Sequence, residues 1–149
     1  MGLISLASGR SAWFGYEYYK DKNVKSHKQI AENEYEGNVA GSGENLYHVF
    51  LNTKNPRFSK CDCPFAKDRR VVCKHSVALF FTIFPTEADK YLKEVEECQK
   101  EAEQWQEELH GKVEKHIKKL PKIELEKALL ETLYQSPEWV FDRFVRDRL

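Results

Sequence analysis

No uninterrupted apolar run in this 149-residue chain approaches the roughly 18 residues that a membrane-crossing helix needs, and residues 1–10 hold only a short apolar stretch. We therefore expect a soluble, cytoplasmic or nucleoid-associated protein with no membrane partner. Met1-Gly2-Leu3-Ile4-Ser5-Leu6 comes close to a myristoylation signal but lacks Ser or Thr at position 6, so no lipid is expected. Net charge is also absent, 24 basic side chains meeting 24 acidic ones, and the chain taken whole does not advertise a nucleic-acid binder. Internal repeats and low-complexity tracts are missing. So are a Ser-His-Asp pattern and a glycine-rich phosphate loop, while His110 and His116 stand six apart and do not share a helix face. The expectation is a protein that is not an enzyme and has no small-molecule substrate. Cysteine is sparse, four residues in all, and in a reducing compartment these are ligands or free thiols before they are disulfides.

The zero net charge conceals a strong asymmetry. Summed by region, residues 1–53 carry −1, 54–85 carry +5, 86–111 carry −6 and 112–149 carry +2. Three of the four cysteines fall inside the basic region. They form the pattern Cys61-x-Cys63, nine residues, Cys73-x-His75.

Zinc takes four ligands in a tetrahedron, and three thiolates with one imidazole suit it better than calcium or magnesium; iron is the competing ion, and ordinary buried thiols are the plain alternative. Two sulfurs on one zinc lie about 3.8 Å apart, whereas side chains at i and i+2 of a flat strand stand roughly 6 to 7 Å apart. Cys61 and Cys63 must therefore sit on a bend, which Pro64 suits. One closed, structural Zn²⁺ is expected on Cys61, Cys63, Cys73 and His75, tying the last strand to the apolar stretch that follows. Four protein ligands leave no open position for a catalytic water.

The remaining chain reads as α+β. Residues 10–22 suggest a short helix whose aromatics, Trp13 and Tyr16 among them, pack on a sheet in preference to stacking on bases. Strands are predicted at 23–31, 34–40, 46–52 and 57–61, with an antiparallel hairpin leading into Leu46–Leu51. His27 and His48 lack a second ligand-type residue at metal spacing and read as sheet or surface histidines. Residues 76–84 read as a buried helix ended by Pro85. A second helix capped by Thr86 should run to about Leu120, with an apolar stripe through Val95, Cys98, Ala102, Trp105, Leu109, Val113 and Ile117. Cys98 on this stripe reads as a small core residue. The stripe packs on the rest of the chain or, alternatively, pairs with a second copy or another protein. Two shorter helices follow, from Ile123 to Gln135 and from Pro137 with Ser136 as its N-cap. The expected division is a zinc-bearing domain over 1–85 and an all-helical region over 86–149.

Cys61-x-Cys63-Pro64, a variable loop, then Cys73-Lys74-His75 and an apolar helix resemble the SWIM-type zinc finger, in a stand-alone, bacterial-like arrangement. Softer matches upstream, the Tyr18-Tyr19 pair, the Val39-Ala40-Gly41-Ser42 turn and the Tyr47-x-Val49 strand, extend the resemblance over about residues 9–84. It implies zinc ligation by the same four residues, and a module that binds nucleic acid or protein, as in chromatin remodellers, transposases and recombination factors. No ATPase, transposase or nuclease segment accompanies the pattern. From the residues themselves, Lys54, Arg57, Lys60, Lys67, Arg69, Arg70 and Lys74 surround the ligands with only Asp62 and Asp68 against them. Three thiolates and a dication leave that region near +4, suited to phosphate contacts and to DNA above all. The alternative is a protein-interaction adaptor working through the acidic long helix, which could also fold back to mask the finger.

Overall fold

Alternation builds the two central strands of the sheet. Gly37 and Val39 on β2 (Glu34–Ala40) and Val49 and Leu51 on β3 (Leu46–Asn52) are buried, with less buried residues between them. The computed structural model describes residues 2–149; Met1, and with it the first residue of the near-myristoylation pattern, lies outside the described residues. β1 (Val24–Ala31), β2, β3 and the short β4 (Lys60–Cys61) form one antiparallel sheet in the order β1-β2-β3-β4. The β2–β3 hairpin is the predicted one. Its turn uses Gly43 at φ +68°, and Gly41 N–H donates to the Asn45 carbonyl at 2.8 Å.

The strand expected over 57–61 is shorter than its pattern suggested. Pro56–Phe58 turn in a 3₁₀ helix, leaving Lys60–Cys61 to pair with Phe50 and Val49. Pro56 cannot donate to a ladder and favours the first position of such a turn.

The apolar stretch forms α2 (Lys74–Ile83), which packs on the sheet against β3, β2 and β1. A Cβ added at Gly37 would come 2.6 Å from Leu79 Cδ1 and 2.8 Å from the Ser26 carbonyl, so only glycine lets the helix lie this close to the strand. Val77, Leu79 and Phe81 are fully buried there with Leu3, Val39, Val49 and Leu51. Each is worth roughly 1.5 to 3 kcal/mol of burial. α1 (Gly9–Lys20) is capped by Ser8, whose Oγ accepts from Ser11 N–H at 3.1 Å. Tyr16, Tyr18 and Tyr19 pack against the core that α2 shares with the sheet. Tyr16 meets Phe81 edge-on at 6.2 Å and Tyr91 at 6.1 Å, and Tyr19 meets Phe81, so the aromatic face of α1 packs on α2 and the start of the next helix.

That helix, α3 (Pro85–Ile117), begins two residues earlier than a Thr86 cap would have it. Pro85 takes the first helical position, where its missing N–H is no loss, and Thr86 falls inside the first turn instead of capping it. α4 (Lys122–Gln135) and α5 (Glu138–Arg148) follow. Ser136 does not N-cap α5: its Oγ donates to the Leu133 carbonyl at 2.8 Å and so closes α4. Met1–Val95 and Glu96–Leu149 are two compact units, the first taking in Ala88 and Tyr91 of α3. In the second unit Tyr134 stacks on Phe141 at 6.1 Å, and Leu133 is its one buried residue among those described. Cys98 is exposed, contrary to its expected place in a core. Among the described residues no helix is long and apolar enough to cross a membrane.

Candidate metal centre and adjoining basic surface

β4 ends at Cys61 and the chain turns at once. The carbonyl of Cys63 accepts from Ala66 N–H at 3.0 Å and from Lys67 N–H at 2.8 Å, so Cys61 and Cys63 stand across a bend as tetrahedral ligation requires. Asp62 between them holds the bend to the sheet. His48 N–H donates to Asp62 Oδ1 at 3.0 Å, and Asp62 N–H to the His48 carbonyl at 3.2 Å. The loop returns through Asp68, at φ +61°, and Val72, which bridges to Ala7 in parallel. Cys73 then occupies the N-cap of α2, and His75 follows in its first turn.

The ligand atoms of Cys61, Cys63, Cys73 and His75 all lie within 4.8 Å of one another, and all four residues are buried. His75 Nδ1 is 3.8 Å from Cys61 Sγ and 3.9 Å from Cys73 Sγ, near the roughly 3.6 Å edge of a tetrahedron of zinc, sulfur and nitrogen. Nδ1 is therefore the nitrogen placed to ligate an ion. Nε2 points away and has no hydrogen-bond partner among the described residues. Tyr47, 4.7 Å from the imidazole centroid, and Tyr18, at 5.6 Å, fix the ring plane.

Three sulfurs this close cannot all be anionic by themselves. Hydrogen bonding with Cys73, then burial, pushes the Cys61 thiol far up. Burial, then the charge of Cys73, raises Cys63. Cys73 is held well below the ordinary thiol range, chiefly by the Cys61 hydrogen bond and further by His75 and Ser76, against the cost of burial. Its place at the start of α2 favours the same anion. A dication at the centre removes the conflict, since it stabilises every thiolate at once. The donor set and spacing fit one Zn²⁺.

Around this centre the basic side chains divide. Lys60, Lys67, Arg69 and Arg70 line a concavity of about 480 Å³ together with His48, Phe50 and the carboxylates Asp62 and Asp68. Arg57, Lys60, Arg69 and Arg70 line a neighbouring one of about 600 Å³ with Phe58. Lys60, Arg69 and Arg70 are common to both. Lys54 is exposed but lines neither. Lys74 faces elsewhere: its Nζ donates to Tyr18 Oη at 2.6 Å and stands 4.2 Å from that ring's centroid, pinning α1 beside the metal ligands. Phe58 and Phe65, 61% and 55% exposed, are features the residue pattern did not single out. The signal available was only that each aromatic lies within the basic segment. His48 is a surface residue of β3, 3.9 Å from Glu36 Oε2, and His27 is exposed on β1.

The family model of the SWIM zinc finger matches residues 47–84, from β3 through the four ligands to the end of α2. No curated protein and no solved structure matches the chain.

Proposed function

We propose, taking the SWIM zinc finger of residues 47–84 as premise, that this protein is a zinc-stabilised module that binds nucleic acid, DNA in the first place, through the basic surface beside the metal. The observation that carries the reading is the sharing of Lys60, Arg69 and Arg70 between two adjoining concavities, with Lys67 lining the first and Arg57 the second. Five cations converging on concave surface are suited to a phosphate backbone, which needs charge along a track more than one deep pocket. The exposed Phe58 ring within the same surface offers a face for an unpaired base. In this reading the four protein ligands leave zinc a structural part, holding β4 against α2, and the protein is not an enzyme.

The test is a binding series at several salt concentrations on duplex and single-stranded oligonucleotides, comparing the parent with Arg69→Ala/Arg70→Ala. Losing two phosphate contacts should weaken binding and reduce the slope of log K against log salt by about 1.4 to 1.8. Unchanged affinity and slope in the double variant would remove the proposal and put forward the second reading, an adaptor that binds protein. That reading has its own support in the apolar side chains exposed along α3.

A further inference from the structure

Cys98, Ala102, Trp105, Leu109, Val113 and Ile117 lie along α3 at steps of three or four residues, and all six are exposed. Trp105 is 64% exposed, Leu109 41%, Val113 48% and Ile117 45%. A stripe of this kind, about 30 Å long at 1.5 Å per residue, is the seam of a helix pair without its partner.

The charges beside the stripe select the partner. Residues 94–108 hold seven glutamates against Lys100, a net of −6, whereas residues 109–117 of α3 hold Lys112 and Lys115 against Glu114, a net of +1, with His110 and His116 besides, and Lys118 and Lys119 follow in the turn just past the helix end, bringing residues 109–119 to +3. The helix dipole does not explain this polarity, since it acts within the first and last turns and Glu94 is more than two turns beyond Pro85. Pairs within the helix, such as Lys112–Glu108 at 3.6 Å, are fully on the surface and use up few of these charges. A helix acidic in one half and basic in the other is complementary to itself in one orientation only.

We propose that two copies of this chain pair antiparallel along α3, stripe on stripe, so that the acidic half of each helix lies beside the basic half of the other. A parallel pair would set seven glutamates against seven, and like charges at this spacing destabilise a helix pair. The proposal stands apart from what the zinc region binds.

The test uses the full-length, zinc-loaded protein. Sedimentation equilibrium should show a dimer whose dissociation constant rises with salt. Zero-length carbodiimide coupling of mixed unlabelled and ¹⁵N-labelled chains should join Glu97, Glu101 or Glu103 of one copy to Lys112, Lys115 or Lys118 of the other. Glu97→Lys/Glu101→Lys/Glu103→Lys should weaken dimerisation by about tenfold or more. Adding Lys112→Glu/Lys115→Glu/Lys118→Glu should restore it, which also separates loss of pairing from loss of folding. A monomer at every concentration overturns the proposal, the stripe being then covered in some other way or left free. A dominant Cys98–Cys98 disulfide under mild oxidation overturns it too, because antiparallel helices keep the two thiols apart. Failure of the reversed set to restore pairing has the same force.

Discussion

Replacing Gly15 by alanine sets two known effects against each other. Alanine is worth about 1 kcal/mol more than glycine in a helix interior, so the change taken locally should stabilise α1. The new Cβ, however, would overlap Val77 Cβ and Cγ1 and stand 2.9 Å from the Lys74 carbonyl oxygen. None of these atoms is the free end of a flexible chain. Val77 is fully buried and, being β-branched, has essentially one rotamer in a helix. Lys74 lies between two metal ligands, Cys73 and His75. Overpacking of this kind costs about 1 to 3 kcal/mol and, where backbone has to move, more. The contact should win, and we expect Gly15→Ala to destabilise by about 1 to 2 kcal/mol and to weaken zinc binding. Urea denaturation of the zinc-loaded protein followed by far-ultraviolet circular dichroism reads the first effect, and competition with a chromophoric chelator the second. Gly111→Ala supplies the opposite sign. A Cβ there meets nothing within 4 Å, so α3 should gain up to about 1 kcal/mol. If Gly15→Ala proves as stable as the parent, or more so, the close approach of α1 to α2 is wrong.

Metal analysis should find one zinc per chain, and its removal by a chelator should lower the melting temperature of the zinc-bearing unit, because Cys61 and Cys63 would lose their tie to α2; an unchanged melt with stoichiometric zinc loss would refute the clamp. Tyr18→Phe removes the acceptor of the Lys74 ammonium but keeps the ring beneath it, and should cost about 1 kcal/mol in a denaturant titration; no loss would mean that the ring alone holds the lysine. Phe58→Ala should leave stability within about 0.5 kcal/mol, since the ring is largely in solvent. If a base stacks there, the same variant should lose about 1 to 3 kcal/mol of single-strand affinity in an equilibrium binding assay, and equal affinity would exclude stacking at this ring.

The metal centre is legible from residue spacing because ligation is local. Four ligand residues within fifteen positions have few ways to meet except on one ion, and the bend between Cys61 and Cys63 follows from sulfur spacing alone. The strands of the sheet and the long helix were legible for a similar reason, since alternation and a repeat of three or four residues are properties of one segment. What failed were the joints. Whether Thr86 or Pro85 starts α3, and whether Ser136 serves α4 or α5, depends on which backbone groups the neighbouring element leaves open. Tertiary structure alone decided which cations act together. Lys54, Lys60 and Lys74 look alike along the chain, yet only Lys60 joins Arg69 and Arg70, while Lys74 is drawn to Tyr18 from 56 residues away. It also decided that the stripe of α3 is bare. Periodicity says that a helix has an apolar face, but what covers that face is a property of the other elements, and Trp105 is left 64% exposed.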